Sequence, residues 1–216
     1  MHPRRGALRG GAAALSLALV AVAPAGAQGF AVFGQGGYFS MTAADSAKAV
    51  FDSSGGPTFG GGLSYGIGRH FYVEGAFRQF SKEGERVFVA SAGSPVFKLG
   101  FPLEARLRPV YGTVGYRFPL GKSAFVPYVG VGAGSTSYRE ESTVAGETKT
   151  ENRSKGSFHG LLGIEFGRGH LRFAAEGVYT TVPDAIGVGG VSKVYGEDDL
   201  GGFVAQAKLI VAFKRR

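Results

Sequence analysis

The sequence predicts an all-β protein, an eight-stranded antiparallel up-and-down transmembrane β-barrel that follows an N-terminal signal peptide. Three observations predict it. Segments of roughly ten residues with apolar/polar alternation recur along the chain, as membrane-spanning strands do. The connections between them alternate between short and long. The ionisable residues inside the segments sit on the parity opposite the aromatic residues, so each strand has one apolar face and one polar face.

The chain opens with Arg4, Arg5 and Arg9, followed by the apolar run GAAALSLALVAVAPAGA, which ends in the small-residue pattern Ala25-Gly26-Ala27. This layout predicts a cleavable export signal over residues 1–27 and a single barrel domain over 28–216, starting at Gln28. The apolar run is too short for a spanning helix, which needs ~20 residues, and no later stretch comes near that length. Removing the three arginines from a net charge of +8 leaves +5, spread along the chain. That spread argues against a nucleic-acid-binding face. The chain has no cysteine, so packing and hydrogen bonds must hold the exported domain together. Its 38 Gly, 18 Phe and 9 Tyr point towards β-structure.

The predicted strands are 30–41, 57–67, 71–81, 106–118, 124–138, 157–166, 171–181 and 200–213. PTFGGGLSYGI (57–67) is the clearest: Phe59, Leu63, Tyr65 and Ile67 share one face, and Thr58, Gly60, Gly62 and Ser64 the other. GRH (68–70), PLGKS (119–123) and GRGH (167–170) are tight turns. The stretches 42–56, 82–105, 139–156 and 182–199 are long connections, so an antiparallel meander gathers all the long ones at one end. REESTVAGETKTENRSKG (139–156) reads as a mobile, exposed loop because it is polar and lacks aromatics. The apolar stretch 86–105 is expected to extend strands beyond the membrane, with a contact surface as the alternative.

In FYVEGAFRQF, Phe71, Val73 and Phe77 oppose Glu74 and Arg78; in LRFAAEGVY, Leu171, Phe173 and Tyr179 oppose Arg172 and Glu176. Arg117, His159, Glu165 and Lys208 also fall opposite the apolar set. A water-soluble barrel would put its apolar face inside, whereas a lipid-facing barrel puts it outside. Two aromatic girdles are expected. Phe30, Tyr65, Phe71, Tyr116, Phe118, Phe125, Phe166 and Phe213 fall near the short-turn end, and Tyr38, Phe59, Phe158, Tyr179 and Phe203 near the long-loop end. The glycine run FVPYVGVGAGSTSY (125–138) looks like a phosphate loop, but no helix follows it. Val129 and Val131 give the run its alternation, so Gly130, Gly132 and Gly134 are lumen-facing spacers.

Eight strands enclose only enough room for side chains. Glu74, Arg78, Arg117, Glu165, Arg172, Glu176 and Lys208 are therefore expected to form a paired charge network that plugs the lumen. A gated ion path through rearrangement of these pairs is the alternative. Ser157 and His159 share a face, with Glu176 on the next strand, so a nucleophile–base arrangement is conceivable. The inward parity of His159 speaks against it. Glu197, Asp198 and Asp199 could hold a calcium ion loosely, though such a cluster usually reads as a solvated loop. His2 falls in the signal, and His70 and His170 sit in turns, which leaves no expected metal or cofactor site.

The segments AFVPYVGVGAG (124–134), VYGTVGYRF (110–118) and RFAAEGVYT (172–180) resemble those of the OmpA/OmpX-like small outer-membrane β-barrel family of Gram-negative bacteria. Leu209, Val211 and Phe213 in the last strand resemble that family's C-terminal signal for the barrel-insertion machinery, although Lys214, Arg215 and Arg216 follow here. The resemblance implies a non-enzymatic outer-membrane protein that presents long extracellular loops for envelope stability, adhesion or surface interaction. Its implied partners are outer-membrane lipids and lipopolysaccharide, the insertion machinery and a surface ligand of unknown identity. A lipid A-modifying hydrolase and a narrow pore for ions or small solutes are the alternatives.

Overall fold

The computed structural model describes residues 29–120, 124–144 and 147–214. The predicted signal segment 1–27 lies outside the described residues, as do Gln28, Arg215 and Arg216. Eight strands run β1 Gly29–Met41, β2 Gly55–Ile67, β3 Phe71–Phe88, β4 Phe97–Arg117, β5 Phe125–Val144, β6 Glu147–Arg168, β7 Leu171–Thr181 and β8 Gly202–Lys214. Each pairs antiparallel with its sequence neighbours, and β1 pairs with β8, from Phe30↔Phe213 to Met41↔Gly202, to close the barrel. Closure leaves no free edge within the ring, which is how a sheet satisfies its backbone polar groups in lipid. No helix among the described residues is long and apolar enough to cross a membrane.

The alternation seen in the sequence becomes the two faces of the wall. Phe59, Leu63, Val110, Val114, Val131 and Leu162 point outward and are exposed. Around the short-turn end the outward rings form a near-continuous girdle. Phe30 meets Phe213 at 6.2 Å, Tyr116 meets Phe71 at 5.2 Å and Phe118 at 4.9 Å, and Phe166 lies 6.3 Å from both Phe125 and Phe173. Tyr38, Phe59, Phe158, Tyr179 and Phe203 make the second ring of exposed aromatics at the other end. Tight turns close the girdled end. Gly68 (φ +63°) and Gly169 (φ +79°) take left-handed backbone there, which a side chain would strain.

The long-loop end departs from the sequence expectation on both sides of the barrel. On one side, stretches expected as loops are strand. β3 and β4 remain paired to Phe88↔Phe97, with a register shift between Glu85 and Val87, and β5 and β6 to Val144↔Glu147. The segment 139–156 is therefore mostly a paired hairpin, not a loop: Arg139↔Asn152 and Ser142↔Lys149 continue the barrel's ladder without a break. A polar strand needs no apolar face once its backbone groups are satisfied by a neighbour already held in register. The expected sheet extension through 86–105 is present, interrupted only by residues 89–96.

On the other side, the connections carry two short helices, α1 Ala44–Phe51 and α2 Gly190–Tyr195, although the sequence showed no helical period. α1 has no side-chain cap of its own, but Glu197 from the opposite connection accepts the N–H groups of Asp45 and Ser46 at 3.0 and 2.9 Å. It ends at Asp52 in the left-handed conformation, whose N–H reaches Lys48 O. Tertiary contact holds this two-turn helix: Gly84 of β3 has no side chain where Val50 O and the Phe51 ring press against it.

Candidate functional site

The inward-facing side chains form layers. Nearest the short turns, Glu165 accepts from Arg172 and lies 3.6 Å from Arg117, which joins β4, β6 and β7. Arg117 also stands over the Tyr72 ring, 4.7 Å from its centroid. In the next layer Lys208 Nζ of β8 lies 2.8 Å from a carboxylate oxygen of Glu74 on β3 and 2.8 Å from one of Glu176 on β7. Its ammonium also sits 4.4 Å above the Phe33 ring, and the residue is only 3% exposed. Around this clamp Tyr128 donates to Glu176 at 2.7 Å and Gln206 donates to the same carboxylate at 2.5 Å. Gln35 donates to Tyr111 OH at 3.1 Å.

Six of the seven predicted network residues therefore join two ion-pair clusters. Arg78 does not. It stacks over Tyr111, 5.0 Å from the ring centroid, and forms no ion pair with a described residue. Of the C-terminal trio, Leu209, Val211 and Phe213 all face outward. The glycines of β5 leave room for this interior. A Cβ on Gly130 would come within 2.8 Å of Tyr72 OH, and one on Gly132 would strike the His159 ring.

His159 faces inward as its parity required. Its Nε2 shares a 2.9 Å hydrogen bond with Thr113 Oγ1, and its ring packs edge-on to Tyr111. Glu176, which would have to orient it, is held by Tyr128, Gln206 and Lys208 instead. His70 and His170 reach the backbone carbonyls of Arg117 and Ala212 in their turns. The acidic cluster near residue 198 braces the loops. Besides the Glu197 cap, Asp199 accepts from the Val182 N–H, the Gly201 N–H and the Thr181 hydroxyl. Among the described residues no group of three or more His, Cys, Asp or Glu could hold a metal ion.

Sequence reasoning missed an apolar layer above the charges. Phe39, Phe80, Leu107, Val182 and Val204 are buried there. Parity was the available signal, since Phe33 and Phe39 alternate with the outward Phe30 and Tyr38. Beyond this layer a cavity of about 500 Å3 opens beneath α1 and α2 and against the β3–β6 extension, with Met41, Ala47, Leu103, Tyr138 and Leu200 in its walls. Burial, then the charge of Glu140, which accepts its hydroxyl, pushes the Tyr138 phenol pKa upward. Outside the cavity, Glu104 is hydrogen-bonded by Arg106 and then Ser81, which holds its carboxyl below the usual carboxylate range.

A closed eight-stranded ring with girdled apolar walls and charge pairs inside defines a Gram-negative outer-membrane β-barrel protein. The family model for the outer membrane protein beta-barrel domain matches residues 12–193, and the chain belongs to that family. Among solved structures, Neisserial surface protein A (NspA) superposes with a TM-score of 0.53 at 13% identity, covering 85% of this chain and 97% of that one. Ail, the attachment invasion locus protein of Yersinia pestis, is similar at a TM-score of 0.48 and 15% identity, covering 86% and 99%. The N-terminal barrel of Pseudomonas aeruginosa OprF gives 0.48 at 10% identity, covering 85% and 97%. No curated relative matches the sequence.

Proposed function

We propose that this is a non-enzymatic surface protein of the outer membrane, with a lumen plugged by its own side chains and an extracellular end that does the work. The observation that carries this reading is the Lys208 clamp, which bridges β3 and β7 across the barrel beneath a buried apolar layer. A solute would have to break buried ion pairs to pass, and an unpaired charge there is strongly unfavourable. The working end is the β3–β6 extension, where Phe88, Val96 and Phe97 are exposed at the hairpin tip well beyond the aromatic girdle. Exposed apolar groups grouped on a polar protrusion suit contact with another surface. Lipids and lipopolysaccharide would surround the wall, and the insertion machinery would read Leu209, Val211 and Phe213. Replacing Phe88 and Phe97 with Ser is expected to abolish binding of expressing cells to host-cell monolayers while heat-modifiable gel mobility is retained; unchanged binding would refute the tip as the contact surface.

The cavity beneath α1 favours a second reading, a site for a small amphipathic anion. Its apolar walls would take the hydrocarbon part. Arg86 in the lining, which has no hydrogen-bond or ion-pair partner among the described residues, would take the charge. A volume of this size suits small ligands. Calorimetric titration of octanoate into nanodisc-held protein, corrected for empty nanodiscs, should give heat that Arg86→Met removes; identical heats would count against this reading.

A further inference from the structure

We infer that the lumen contains a binding site for one monatomic anion, a halide, at Arg78. This stands apart from the surface-interaction reading, because it concerns the barrel's interior and not its mouth. A small cavity of about 30 Å3 lies within the apolar layer, lined by Arg78 of β3, Thr136 of β5 and Thr180 of β7, with Phe80 and Val204 also in its walls. Three buried polar atoms have no hydrogen-bond partner among the described residues and belong to these same lining residues: Arg78 Nε, Thr136 Oγ1 and Thr180 Oγ1. Buried donors without partners are uncommon, and their coincidence around one void points to a ligand there. Each of the three is or carries an N–H or O–H donor, so together they suit an acceptor.

Charge identifies the acceptor. The interior of the spanning strands holds Arg78, Arg117, Arg172 and Lys208 against Glu74, Glu165 and Glu176, one positive charge in excess. The carboxylates all pair with Lys208, Arg117 or Arg172, while Arg78, only 5% exposed, forms no ion pair with a described residue. Its guanidinium carbon lies over the Tyr111 ring, and its Nε–H finds no hydrogen-bond partner among the described residues. A water would satisfy the hydrogen bonds but not the charge, and a buried unpaired charge is costly. At about 30 Å3 the void is small, a size that suits one compact ion. Thr58, which also lines it, already donates its hydroxyl to Gln79 O and adds no further donor.

The test uses the full mature barrel with bromide as the probe. Crystals grown in bromide should show an anomalous difference peak within hydrogen-bond distance of Arg78 Nε and the two threonine hydroxyls. At constant ionic strength, replacing gluconate with bromide should raise the thermal unfolding midpoint. Thr136→Val keeps the shape and the cation but removes a donor, and should weaken bromide binding at least tenfold. Arg78→Met should remove both the peak and the bromide dependence; should that variant fail to fold, Thr136→Val decides alone. No peak in saturating bromide, equal midpoints in bromide and gluconate, or bromide binding unchanged by Thr136→Val would overturn the assignment.

Discussion

The eight-stranded barrel and the sheet that rises from it share four strands, β3 to β6, yet the two regions hold their charges in opposite ways. In the lumen each ion pair links different strands. Lys208 of β8 joins β3 and β7, and Glu165 of β6 joins β4 and β7; all these carboxylates are nearly inaccessible. On the extension Lys98 of β4 pairs with Asp52 at the end of α1, but the other three pairs lie within one strand, two residues apart on the same face: Glu104–Arg106, Arg139–Glu141 and Glu151–Arg153. Their side chains are roughly one-quarter to three-fifths exposed. The same residue types thus do two jobs. Across the lumen they fix which strands face one another and fill the interior; on the extension they keep a protruding sheet soluble and contribute little to stability.

The largest break in this comparison should come from Lys208→Met. It leaves Glu74 and Glu176 buried side by side without their cation, and urea unfolding in lipid vesicles should show a loss of about 3–5 kcal/mol. Next is a matched pair of glycine substitutions on the two regions. Gly132→Val forces a side chain against His159 and Gly112 O in the lumen and should cost about 1–3 kcal/mol in the same assay. Gly156→Val, on the extension, has open space around its Cβ and should change the midpoint little. Arg139→Ala removes a surface pair and should cost less than about 0.5 kcal/mol; a loss approaching that of Lys208→Met would erase the distinction.

The smallest effect concerns pH. The carboxyl of Glu104 is lowered by its bonds from Arg106 and Ser81, so its contribution is present above the unfolded value near ~4.3 and fades as acid carries it through the folded pKa. Between pH 5 and 2, amide exchange at the base of the β3–β4 hairpin should accelerate slightly more in wild type than in Glu104→Gln, which has no such pair to lose. Equal acceleration in both would show that the pair does not hold the hairpin.

Much of the barrel was legible because lipid imposes a strict rule: every second residue of a spanning strand must be apolar on one side. Leu63, Val114, Val131 and Leu209 carry that rule in plain view, and so do the turns at 68–70 and 167–170. The rule ends where the lipid ends. Beyond the girdle, Arg139 to Val144 pair with Glu147 to Asn152 chiefly through the backbone ladder, and no side-chain period marks them. The helices were hidden for a related reason. ADSAKAVF is too short to declare itself, and its N-terminus is capped by Glu197, 152 residues from Asp45 in sequence. Parity placed the seven lumen charges on the inner face, but it could not show that Arg78 would lie outside the pairs. That depends on which strands meet across the barrel, a matter of closure and stagger and not of any local segment.

A lumen closed by its own side chains should carry no steady current. The most direct measurement is single-channel recording of the purified protein in planar bilayers at moderate salt. A flat baseline, with discrete steps appearing only when Lys208→Met removes the clamp, is the predicted result. Steady, discrete conductance from the wild-type protein would contradict it.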